Sequence, residues 1–170
     1  MTQSTLIYSA NTAITFDLSG LTTSSTFIAG RESTEIDNTS NKYIDALVNV
    51  KGITGHLTTA PTIGQIINLY CWGADTSLAT TGIDVLDGTD SIETFSHLAV
   101  LNALRLAGSA TVTAASAALA YYIMPFSVAA LFGGKMPKFW GLFAAHNHNG
   151  ALGASNNALF SYNGLKVDFT

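Results

Sequence analysis

Two segments of this chain are apolar on both faces. In residues 65–72, Ile67, Leu69 and Cys71 oppose Ile66, Tyr70 and Trp72, and in residues 139–146, Trp140, Leu142 and Ala144 oppose Phe139, Phe143 and Ala145. Side chains alternate across a strand, so a segment that shuns water on both sides must be covered twice. The first reads as a central strand, the second as a strand that is central or capped by another chain. Single-sided alternation surrounds them. Ile14, Phe16 and Leu18 alternate with Ala13, Thr15 and Asp17, and Ile44, Ala46, Val48 and Val50 face away from Asp45, Asn49 and Lys51. Ile7 and Tyr8 precede the first of these across a Ser-Ala-Asn break, while 26–29 and 121–124 read as further strands, with a polar loop through Arg31, Glu32, Asp37 and Asn41.

Turn chemistry punctuates the strands. Gly52, Gly55, Pro61 and Gly64 separate two of them, and residues 73–90 form a long segment rich in Thr, Asp and Gly, the kind of loop that commonly carries function. Pro125 ends a strand and opens one or two helical turns across 126–132, capped by Gly133. Residues 91–106 fit two patterns. Asp90 and Glu93 imitate a capping box before a helical turn at 91–96, and the favoured reading is that turn followed by extended chain. Asn163-Gly164 predicts a type I′ hairpin pairing Tyr162 with Leu165 and Phe160 with Val167. About eight short strands with turns between them predict an all-β fold, an antiparallel two-sheet sandwich of jelly-roll type with one or two short helical turns. At 170 residues the chain is expected to be a single domain over 1–170, with residues 1–20 as an extended arm contacting a partner chain.

The surface chemistry is unusual. Only 11% of residues are charged against 48% hydrophobic, so neutral Thr, Ser and Asn must do most of the solvating. Thr suits a pleated surface, and low charge suits surfaces buried against partners. A net charge of -4, with seven Lys/Arg scattered singly along the chain, argues against nucleic acid as a partner. Residues 106–134 carry no charge, but Thr111, Thr113, Ser116, Pro125 and Gly133-Gly134 argue against a membrane span, and Met1–Thr5 lacks a secretory pattern. Cys71 is the only cysteine and reads as a buried hydrophobe.

The polar candidates for chemistry are weak. His146 and His148 would share a strand face, but Asn147, Asn149 and Gly150 signal a turn and no further ligand completes a metal set. Asp84, Asp87 and Asp90 have the composition of a calcium loop without its alternate-position spacing. Residues 132–136 lack P-loop spacing, Ser96 and His97 are sequence neighbours that seldom face each other, and Glu32, Glu35 and Glu93 are too dispersed to nominate a glycosidase pair. The Asn38-Thr39-Ser40 acceptor pattern adds nothing without a signal peptide. The expectation is no enzyme and no cofactor or metal.

Three blocks carry a resemblance: residues 26–34 (TFIAGREST), 125–128 (PFSV) and 132–141 (FGGKMPKFWG). They resemble small virion proteins of tailed bacteriophages, of the decoration or cement type. The resemblance implies a β-sandwich on the capsid surface that forms a homo-oligomer, a dimer or trimer, and clamps neighbouring major capsid protein subunits. It brings no catalytic residues. The residues nominated for the partner interface are Ile7, Tyr8, Trp72, Phe132, Met136 and Trp140. The alternative expectation is a tail-associated carbohydrate- or receptor-binding sandwich, with Trp72 as an aromatic platform beside the 73–90 loop.

Overall fold

A computed structural model of the chain describes residues 4–55, 59–117 and 119–169. The strands are β1 (Ser4–Tyr8), β2 (Thr12–Ala13), β3 (Ala29–Glu32), β4 (Ile36–Asp37), β5 (Asp45–Val50), β6 (Ile53–Thr54), β7 (Ile66–Ala74), β8 (Ile92–Thr94), β9 (Arg105–Thr111), β10 (Ala120–Tyr121), β11 (Phe126–Ser127), β12 (Phe139–His146) and β13 (Phe160–Phe169). Helices α1 (Leu78–Thr81) and α2 (Val128–Leu131) and a 3-10 helix at Leu98–Ala103 lie between them.

The first sheet has the order β1-β13-β5-β11, with β2 also on β13, and the second β8-β3-β12-β7-β9, with β4 also on β12. Every one of these pairings is antiparallel, and β6 and β10 form a separate ribbon. The architecture is the expected all-β two-sheet sandwich with a few short helices. Its main core fills the space between the sheets: Ala46, Val48, Phe160 and Tyr162 from the first meet Ile67, Leu69, Cys71, Trp140, Leu142 and Ala144 from the second. Ile14, Phe16 and Leu18 belong to the same core.

A second core lies on the far face of the second sheet. Trp72, Phe143 and Ala145 are covered there by Leu78, Leu86, Phe95 and Leu104, all from the chain between β7 and β9. This cover explains why β7 and β12 are apolar on both faces, since each is central in its sheet and buried from both sides. The aromatic rings need glycines opposite them. Gly141 pairs with Trp72, and a Cβ at Gly141 would lie 2.5 Å from the indole; one at Gly30 would lie 2.4 Å from the Phe143 ring.

Five local expectations give way to longer-range pairing, the first being the strand expected over residues 13–18, where the structure has only Thr12–Ala13. Asn163-Gly164 is no turn: β13 runs straight through it, with Asn163 opposite Leu47 and Gly164 opposite Ala46 on β5. The glycine is required because the Tyr43 ring occupies the place of its side chain, 2.4 Å from an added Cβ. The 91–106 region reverses the expected order, placing β8 at 92–94, the 3-10 helix at 98–103 and β9 from Arg105. The strand expected at 26–29 begins only at Ala29, so Arg31 and Glu32 belong to β3 and not to a loop. The strand expected at 121–124 is only Ala120–Tyr121. The helical turn within 126–132 is present but starts later than expected, at Val128 after the short strand β11, with the Ser127 hydroxyl accepting the Ala130 N–H as N-cap; Gly133 follows at φ +68° as expected.

Candidate interaction surface

The nominated interface residues divide into three groups. Trp72 and Trp140 are fully buried inside the single chain, one in each core, and offer no surface to a partner. The indole of Trp72 is also no sugar platform, because the 73–104 segment folds over it; the expectation missed this third layer. Phe132 and Met136 are half-buried at grooves described below. Ile7 and Tyr8 lie on β1, the strand at the open edge of the first sheet.

All five residues of β1 are exposed, so neither face of the strand is covered. Leu6 and Tyr8 are 63% and 62% exposed. Their cross-strand partners on β13 are Val167 and Leu165, and these point away from the core, since Phe160 and Tyr162 of the same strand point into it. Leu47 on β5 continues the outward row through its pairing with Asn163. The opposite face of the ribbon carries Thr5 and Ile7 beside Asp168 and Lys166. A two-stranded apolar row is therefore open to solvent, at an edge without Lys, Pro, Gly or bulge to protect it.

A groove of about 530 Å³ is lined by Asn38, Thr39, Lys42, Tyr43, Met136, Pro137 and Lys138. Asn38 builds one wall by closing its own loop: its amide donates to the Tyr43 carbonyl at 2.9 Å and its Oδ1 accepts the Tyr43 N–H at 2.8 Å. The Asn38 N–H donates to the Lys138 carbonyl, tying the two walls together. Met136 and Pro137 also border a smaller groove with Phe132 and Lys135. Folding thus brings Lys42 to the ridge that Lys135 and Lys138 flank in the sequence.

The acidic residues have separate structural employments. Asp90 holds Arg31 at 2.6 Å, Asp84 accepts the Ser96 N–H at 2.7 Å, and Asp87 accepts the Thr89 N–H at 2.9 Å. Glu32 is completely buried, and its two oxygens accept the Asp87 and Gly88 N–H groups at 3.0 and 3.1 Å. Burial pushes its carboxyl up to about 8, and the neighbouring Asp87 and Glu93 charges act in the same direction against those two donors. Glu32, Asp87 and Glu93 form one cluster able in principle to hold a cation. The sequence pattern placed Glu32 in a polar loop; its burial comes from β3, which runs through Glu32.

His146 and His148 do come together, their rings 4.9 Å apart and fully buried. Nδ1 of His146 accepts the His148 N–H, so Nε2 of the neutral ring donates to the Leu21 carbonyl at 2.8 Å. With both His146 nitrogens engaged, the pair is a core hydrogen-bond junction. Cys71 is buried as expected, and burial raises its thiol pKa well above the ordinary value, which makes it inert. Among the described residues no helix is long and apolar enough to cross a membrane. Compared with known proteins, the chain matches no family model, no curated protein and no solved structure.

Proposed function

We propose that this chain is a non-enzymatic virion structural protein that decorates the exterior of a tailed-phage capsid and stabilises contacts between major capsid protein subunits. The observation that carries the proposal is the β1–β13 ribbon, an apolar row in which Leu6 and Tyr8 are exposed and Leu165 and Val167 half-buried, with none of the described residues closing over it. Charge-poor apolar surface suits a permanent contact, because interface cores are depleted in charge and rich in aromatic and aliphatic side chains. The Met136–Pro137 ridge between its two grooves supplies a second contact of different character, apolar at the centre and rimmed by Lys42, Lys135 and Lys138.

The proposal also rests on the sequence blocks that resemble cement proteins. Residues 132–141 supply the ridge and run into β12, and residues 26–34 contain β3, which pairs with β12. A protein that binds the assembled lattice and not free subunits stabilises the shell by mass action, by about 2.7 kcal/mol per site at a hundredfold excess over Kd. Virions lacking the protein are expected to release genome at lower temperature or milder osmotic shock than complete virions. Equal resistance of the two would overturn the proposal.

A further inference from the structure

We propose that β1 pairs edge to edge with β1 of a second copy, in one antiparallel register centred on Leu6, to give a twofold-symmetric dimer. The inference goes beyond capsid decoration and stands on strand geometry alone. The Ser9 N–H donates to the Gly164 carbonyl, which fixes the alternation: Thr5 and Ile7 turn their backbone groups toward β13, and Ser4, Leu6 and Tyr8 turn theirs outward. An antiparallel partner must therefore meet outward-facing residues with outward-facing residues. A twofold axis at Leu6 does this for the whole strand, pairing Leu6 with Leu6 and Ser4 with Tyr8 of the other copy, each pair exchanging both N–H···O=C bonds.

The side chains agree with that register. On the outward face the central row becomes Val167, Leu6, then Leu6 and Val167 of the second copy, a continuous apolar strip across four strands. On the other face each row runs from Asp168 through Thr5 to Ile7 and Lys166 of the second copy, so opposite charges end every row. Parallel pairing through the same edge would turn the second copy's faces over and set Leu6 beside Thr5 or Ile7, breaking the apolar strip. No charge lies on β1 itself to oppose a second copy.

The experiment combines light-scattering mass with symmetric cross-linking of the full chain. Wild type should have the mass of a dimer, and Leu6→Lys, at a position 63% exposed and outside both cores, should halve it while leaving the circular dichroism unchanged. Leu6→Cys should form an interchain disulfide under mild oxidation, because hydrogen-bonded antiparallel pairs hold Cα atoms about 5.5 Å apart, within disulfide reach. Ile7→Cys should not, since Ile7 faces Thr5 of the other copy and lies about 8 Å or more from its own equivalent. A monomeric wild type, a Leu6→Lys variant that keeps the dimer mass, or equal cross-linking of both cysteine variants would overturn the pairing. Capsid binding is read separately by co-sedimentation of the wild-type protein, so failure of the dimer and failure of capsid binding are distinguishable.

Discussion

Glu32→Gln isolates the cost of one buried carboxyl. In the unfolded chain Glu32 titrates near 4.5, whereas in the fold its proton is held until about pH 8. Between those values the folded state binds the extra proton, so stability is greatest below about pH 4.5 for this group, falls as pH rises, and has lost the whole contribution above about pH 8. The interval of about 3.5 units corresponds to a few kcal/mol, at most ~5. For a chain of this size that is on the order of 10 °C in Tm. A glutamine keeps one acceptor oxygen for the Asp87 and Gly88 N–H groups and puts an NH₂ where the other stood, which costs about 1–3 kcal/mol at every pH. The level of stability is therefore not the diagnostic; its slope is. Chemical denaturation of both proteins from pH 5 to 8.5 should show wild type losing several kcal/mol more than Glu32→Gln, all other titrating groups cancelling. Parallel curves would refute the account of Glu32.

Three further outcomes follow from particular contacts. Gly141→Ala places a methyl group 2.5 Å from the buried Trp72 indole and should cost about 1–3 kcal/mol or more, with a changed near-ultraviolet tryptophan signal; an unperturbed Tm and spectrum would contradict the packing. Asp45→Ala removes the acceptor of the Ser127 hydroxyl and the Ala129 N–H at the start of α2, and should cost about 1–2 kcal/mol in denaturant titration, with no loss if those bonds do not form. Cys71 should resist a thiol reagent in native protein and react fully once unfolded, and rapid native labelling would show that the core between the sheets is open.

What the sequence disclosed, it disclosed through burial pattern. β7 and β12 were legible because two-sided apolarity admits few explanations, and α2 because proline and glycine bracket it. The pattern could say that Trp72 is covered, but not by what, and the assumption of two layers left its indole looking free when the 73–104 segment supplies a third. Asn163-Gly164 misled for a different reason. Its turn preference is local and small, whereas in the fold the segment is held by a ladder to β5 on one side and by Ser9 at the edge of β1 on the other. Glycine stands there for the Tyr43 ring, a contact across 121 positions that no local rule encodes. The exposed row on β1 was half legible: Ile7 and Tyr8 were nominated, but Leu6, whose face makes the row, was identified only once the pairing with Val167 fixed the parity.

The most direct test of the central proposal, that this chain belongs to a tailed-phage virion, is to mix the purified protein with empty, expanded capsids of the phage the proposal assigns it to and to sediment the mixture. Decoration predicts that a discrete oligomer leaves the supernatant and saturates the particles at a fixed ratio to the major capsid subunits. Protein that stays in the supernatant at every concentration, while the same capsids still take up a known decoration protein, would contradict it.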